Sequence, residues 1–141
     1  MSGALGALVL AVLPCMGHAE DPAWQAPRSA RIRRNPLSSA GTRAGKALFA
    51  SHCAPCHGPQ GQGDGLAAAA LNPPPRDLTS PPVQQETDGA LFWKISSGRG
   101  AMPAWSWLSD RDRWALVWAI RELARSRNAA PAQPFPISPE R

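Results

Sequence analysis

The sequence predicts an all-α domain of three to five short helices joined by long loops. Three observations predict it. Apolar residues recur at helical spacing in three segments. No convincing segment alternates apolar and polar residues with the period of a strand. The 16 prolines and 12 glycines fall largely between the helical segments, where they break them. A chain of 141 residues gives one such domain. Residues 1–19 read as a signal peptide, 20–38 as a flexible leader rich in Arg and Pro, 39–127 as the folded domain and 128–141 as a Pro-rich tail.

The first nineteen residues carry no charged side chain, and the apolar run from Leu5 to Leu13 has the length of a signal-peptide core rather than a membrane span. Gly17-His18-Ala19 supplies small residues for cleavage before Glu20. An uncleaved anchor is the second reading, and lipoprotein processing at Cys15 a third that Pro14 disfavours. Cleavage leaves Cys53 and Cys56 as the only cysteines, His52 and His57 as the only histidines, and the net charge at +5. It also places the chain in the periplasm, an oxidising compartment where a free dithiol does not persist unaided.

The leader concentrates charge at Arg28, Arg31, Arg33 and Arg34 and lacks periodicity, so it is expected to be solvated. A docking patch for an acidic partner or an anionic membrane surface is the sharper reading. An exported chain whose leader carries no aromatic beyond Trp24 argues against nucleic-acid binding.

A first helix is expected from Ser38 or Ser39 with Ser as its cap, one face marked by Ala40, Ala44, Ala47 and Leu48, and a stop at Pro55 and Gly58. Gly58 to about Pro82 reads as loop, with a short helix over Leu66 to Leu71 and an extended Pro73-Pro74-Pro75. Thr87 or Asp88 caps a second helix that ends at Gly98 and Gly100. "RGAMPAWSWL" is then a turn-like loop. Ser109 caps the last helix, where Asp110 and Asp112 suit the first turn. Its apolar stripes are Trp114, Val117 and Trp118, then Leu116, Ile120 and Leu123. A folded part of about 90 residues buries limited apolar surface and gains from a cofactor, metal or disulfide.

"CAPCH", Cys53 to His57, is the chemical centre of the chain. A thioredoxin-like dithiol needs a preceding strand, and none is present. Structural zinc draws two ligand pairs from separated segments, whereas Cys53, Cys56, His57 and His52 crowd into one. A Cys53–Cys56 disulfide closes too small a loop to stabilise much. The C-x-x-C-H spacing signals covalent haem attachment. Each thiol adds to one vinyl group, and His57 projects its imidazole to the iron. On the second axial face, Met102 in a loop before Pro103 is the expected ligand, since His52 adjoins Cys53 on the attachment segment. A His/Met pair raises the reduction potential and leaves no open position for oxygen or substrate.

With these residues the sequence resembles the bacterial class I cytochromes c of the small monohaem type. The segments that carry the resemblance are "GKALFASHCAPCHG", "GQGDG", "NPPPRDLT", "DGALFWKISSGRGAMPAW" and "LSDRDRWALVWAIREL". It implies the cytochrome c fold around one covalently bound haem c. It also implies a close crossing of the first and last helices at Gly45, Phe49 and Trp118, and a proline against the proximal histidine, Pro75 being favoured over Pro73 and Pro74. Arg76, Trp93 and Arg99 are then candidate donors to the haem propionates. For Trp93 ordinary core packing is the alternative, and for the two arginines a solvated surface charge.

The expected function is one-electron transfer by a soluble periplasmic carrier, not an enzyme acting alone. It is expected to be a monomer that meets acidic-surfaced redox proteins through small, transient contacts, and to bind no nucleic acid. The alternative is a haem c subunit of a larger dehydrogenase or reductase, with peripheral or membrane-complex contact. A gas sensor or peroxidase-like enzyme would need an open axial position. A non-haem redox or zinc protein would lack covalent haem.

Overall fold

The computed structural model describes residues 24–38 and 42–129. Six α-helical segments follow in order: α1 (Arg28–Arg31), α2 (Thr42–His52), α3 (Ala54–His57), α4 (Pro81–Gln85), α5 (Asp88–Ser97) and α6 (Asp110–Ala129). A 3₁₀ turn, Ala68–Ala70, lies within the loop after α3. Among the described residues the only extended pairing is an isolated bridge between Arg99 and Met102. The fold is all-α, as the sequence predicts.

The core is built where α2 crosses α6. Gly45 permits the crossing, because a Cβ there would run into the carbonyl of Ala115. Phe49 is buried beside it, and α6 contributes Trp114, Leu116, Val117, Ala119 and Ile120 to the same cluster. The buried face of α2 is therefore Gly45 and Phe49, with Leu48 half-buried. Ala44 and Ala47, expected on the inner face, are exposed. Small alanines carry too little apolar area to decide which face turns inward, and the ring of Phe49 decides it. Trp118 is half-buried and donates its indole N–H to the Leu37 carbonyl at 2.9 Å.

The helix starts follow their caps. Thr87 Oγ1 accepts from the Ala90 N–H at 3.2 Å at the head of α5. Ser109 Oγ accepts from the Asp112 N–H at 3.1 Å at the head of α6. The helix expected over Leu66 to Leu71 is reduced to the 3₁₀ turn. Helix α4 lies across the end of what reads as loop; Ser80 precedes it and Pro81 and Pro82 open it, a sequence suited to a helix start. Arg121 ties α6 to the α4–α5 turn. Its Nε donates to Asp88 Oδ1 at 3.0 Å, Nη1 donates to the Gln84 carbonyl at 2.9 Å, and Nη2 donates to the Glu86 carbonyl.

The leader is not loose where it is described. Ala26 and Ala30 are buried against Ala90, with Trp93 packed on the same cluster. Gly89 allows this approach, since a Cβ there would meet the carbonyl of Ala30. Arg33 stands 4.6 Å from the Phe92 ring centre and 5.2 Å from that of Trp114, and Asn35 Nδ2 donates to the Trp114 carbonyl at 3.0 Å. Composition suggested solvation, but two alanines and one stacked guanidinium suffice to dock the segment on α5 and α6. The folded part therefore begins by Trp24 rather than at residue 39. The expected signal peptide, and the tail beyond Ala129, lie outside the described residues.

Candidate functional site

The site residues singled out in the sequence, Trp93 excepted, border one cavity of about 500 Å³. This is a size suited to a small-molecule cofactor. Helix α2 delivers Phe49 and His52 to its wall, and the turn into α3 delivers Cys53, Cys56 and His57. Leu91 and Ile95 of α5 and Leu116 and Ile120 of α6 give an apolar lining. Pro75, Arg76, Arg99 and Met102 reach it from the connecting loops.

The attachment segment is held by the loop that follows it. The Cys53 carbonyl accepts from the N–H groups of Cys56 at 3.1 Å and His57 at 2.8 Å, which closes the tight turn of α3. The N–H groups of Gly63, Gly65 and Ala67 then bond back to the carbonyls of His57, Cys56 and Pro55 at 2.8, 3.1 and 2.9 Å. No disulfide joins Cys53 to Cys56. Before any attachment, burial, and secondarily the charge of Cys56, pushes the Cys53 thiol up to about 12.

His57 Nδ1 lies 3.0 Å from the Arg76 carbonyl oxygen. A carbonyl only accepts, so Nδ1 carries the proton and Nε2 keeps its lone pair. Burial lowers the imidazole's pKa, and the bond to Arg76 partly opposes this. The neutral ring is the metal-binding form. The carbonyl that orients His57 thus belongs to Arg76, one residue beyond the proline favoured from the sequence; Pro75 lines the cavity beside it.

Met102 is half-buried and packs against the main core cluster. Its loop is closed by two backbone bonds: Arg99 N–H to the Met102 carbonyl at 2.8 Å, and Met102 N–H to the Arg99 carbonyl at 2.9 Å. Gly98 enters this loop at φ +61° and ψ 175°, a region open essentially to glycine alone. His52 packs instead with Trp105 and Trp107, at ring-centre distances of 4.9 and 5.6 Å. Among the described residues no three His, Cys, Asp or Glu side chains gather into a metal-holding group.

Residues 40–118, more than half of the chain, match the family described as cytochrome c oxidase, cbb3-type, subunit III. The chain belongs to this cytochrome c family. It is also 36% identical over 80 residues to cytochrome c6 of Chlorolobion braunii, across 53% of this chain and 81% of that one. Among solved structures it resembles a chain of a reducing HAO-like protein complex from Kuenenia stuttgartiensis, with 27% identity and a TM-score of 0.56. That match covers 70% of this chain and 49% of the other, so this chain spans about half the length of its structural neighbour.

As a cytochrome c, the chain carries covalently bound haem c and serves electron transfer. The donor set fits that group: two thiols three residues apart, an imidazole with a free Nε2 and a thioether all border one apolar cavity. Cationic side chains suited to carboxylates also line it, in Arg76, Lys94 and Arg99. Trp93 does not. It packs on Ala26, Ala30 and Ala90, so core packing rather than donation to the cofactor accounts for it. Trp24 lines the cytochrome's cavity in its stead, and nothing in the composition of the leader marked it for that place.

Proposed function

We propose that this cytochrome c is a one-electron carrier holding one haem per chain through Cys53 and Cys56, with His57 and Met102 as axial ligands. The observation that carries the reading is the bond from His57 Nδ1 to the Arg76 carbonyl at 3.0 Å, which frees Nε2 on a cavity that Met102 also lines. When bound, the haem supplies the Fe(III)/Fe(II) couple. The chain's own residues do the rest. Cys53 and Cys56 fix the group by two thioethers. The Arg76 carbonyl orients the imidazole and strengthens it as a ligand. Phe49, Leu91, Ile95, Leu116 and Ile120 exclude water, which favours the less charged ferrous state, as does a thioether ligand.

The carrier works in the periplasm as a soluble monomer. Among the described residues no helix is long and apolar enough to cross a membrane. Arg28, Arg31 and Arg34 face solvent and favour acidic-surfaced partners through transient contacts. Trp107, 66% exposed beside His52, adds an aromatic contact near the attachment segment. A second reading, a haem subunit within a larger oxidoreductase complex, is favoured by the structural neighbour being part of a complex.

Haem staining after denaturing electrophoresis tests the assignment. The wild-type chain is expected to keep its stain, and the Cys53→Ala, Cys56→Ala double variant to lose it. An unstained wild-type chain overturns the reading. Elution of the native holoprotein as a monomer supports the free carrier, and stable co-purification with other subunits supports the complex.

A further inference from the structure

The docked leader carries charge that the rest of the described chain does not answer. The sequence has no Asp or Glu between Trp24 and Gly63, while Arg28, Arg31 and Arg34 face solvent. Among the described residues these three arginines enter no ion pair. Arg33 differs, for it lies over the Phe92 and Trp114 rings and stands 3.8 Å from Asp110. Beside the free arginines Ile32 is 72% exposed. Arg31, Ile32, Arg33 and Arg34 border an open groove of about 390 Å³ that Asp88 of α5 and Trp118 of α6 also line. Three arginines thus face one carboxylate, and Arg121 already holds that carboxylate at 2.9 Å. Arg125 adds a further cation, its guanidinium 5.3 Å from the centre of the Trp118 ring.

We propose that this leader groove is a docking surface for an acidic segment of a partner protein, which seats an apolar side chain beside Ile32 and Trp118 while its carboxylates meet Arg31 and Arg34. This deepens the acidic-partner reading above and rests on it. The groove lies apart from the haem cavity. The two share no lining residue. Trp118 is two residues from both Leu116 and Ile120, which line the cavity, and two residues turn a helix by about 200°. A partner held in the groove therefore leaves the cavity uncovered, so the chain can be tethered to one protein while it exchanges electrons with another. A second copy of the chain is a poor occupant, because each copy carries a net charge of +5. An anionic membrane is a poorer one than a protein. Ile32 is the leader's only strongly exposed large apolar side chain among the described residues, and a concave groove offers little of itself to a flat surface.

The test follows the ferrous holoprotein by ¹⁵N–¹H correlation spectra while a short synthetic peptide with Leu set between Glu and Asp residues is added. The amide resonances of Arg31, Ile32 and Arg34 should move, together with the Trp118 indole N–H that donates to the Leu37 carbonyl. The Arg31→Glu, Arg34→Glu double variant should bind the peptide at least about tenfold more weakly. Ile32→Ala should weaken binding about threefold. Added salt should weaken binding to the wild-type chain, a readout that needs no variant. Both variants are expected to keep covalent haem and the wild-type absorption spectrum, which separates this surface from the haem site. Equal affinity in the double variant, or shifts confined to residues of the cavity, overturns the groove as a docking surface. Binding to vesicles of phosphatidylglycerol and phosphatidylcholine without binding to the peptide overturns the protein partner in favour of a membrane. A wild-type chain without covalent haem overturns the haem assignment alone, since the titration reads the groove directly.

Discussion

The segment from Cys53 to Leu78 is knitted to itself by backbone bonds, including Gly63 to His57, Gly65 to Cys56, Ala67 to Pro55 and Leu78 to Gly61. The Met102 loop hangs from the Arg99–Met102 bridge and a bond from the Trp105 N–H to the Ile95 carbonyl at 3.0 Å. One wall is fastened at many points and the other at few. The first carries the thiols and the imidazole that we propose as tethers and ligand. The second offers only a thioether, which on that proposal could be lost while the covalent bonds remain. The contrast teaches that the two sides of the site should fail separately.

Met102→Ala is the most severe test of this contrast. It should leave haem staining intact, lower the reduction potential, and let the ferrous protein bind carbon monoxide readily, as followed by absorption spectroscopy. Failure of carbon monoxide to bind would remove Met102 from the axial position.

Gly98→Ala should act on the same wall with a smaller effect. A Cβ there would stand 2.5 Å from the Ala104 nitrogen, in backbone that disfavours any side chain. A loss of about 1–3 kcal/mol is expected in denaturant melts. Loosened Met102 ligation should appear before any loss of attachment.

The smallest effect belongs to the fastened wall. Asp77 accepts from the Thr79 N–H at 2.8 Å and from Arg127 Nη1 at 2.8 Å, which ties the loop to the end of α6. Burial raises the carboxyl's pKa, but the bonds from Thr79 and Arg127 outweigh it, and the folded value lies below the ordinary 3.8. A depressed folded pKa means that the contribution is fully present above the ordinary value and is lost as pH falls through the folded one. Arg127→Ala should therefore cost under about 1 kcal/mol at neutral pH, less in high salt, and flatten the acid limb of the stability curve.

The parts legible in sequence were those fixed by local chemistry. Ser109 and Thr87 announced their helices because a cap is satisfied within three residues. That Cys53, Cys56 and His57 border one cavity was legible because one short turn carries them, and Met102 stood out as a candidate because the described loops offer no other methionine. What escaped depends on distant partners. Ala26 and Ala30 are buried only because Gly89 and Ala90 of α5 leave them room. Trp93 looked like a donor, yet the same docked segment covers it, and Trp24 arrives at the cavity by that docking. Helix α4 escaped for another reason: the Ser-Pro-Pro start was readable, but it followed a proline-rich loop and was absorbed into it.

The crossing of α2 and α6 ties the two ends of the helical domain together. Gly45 and Ala115, which meet there, are seventy residues apart in the chain. Closing so long a loop costs chain entropy that only the packed crossing offsets. Without α6, Leu116 and Ile120 would be missing from the cavity wall and the CAPCH turn would stand open to solvent. The final helix is thus the latch of the pocket.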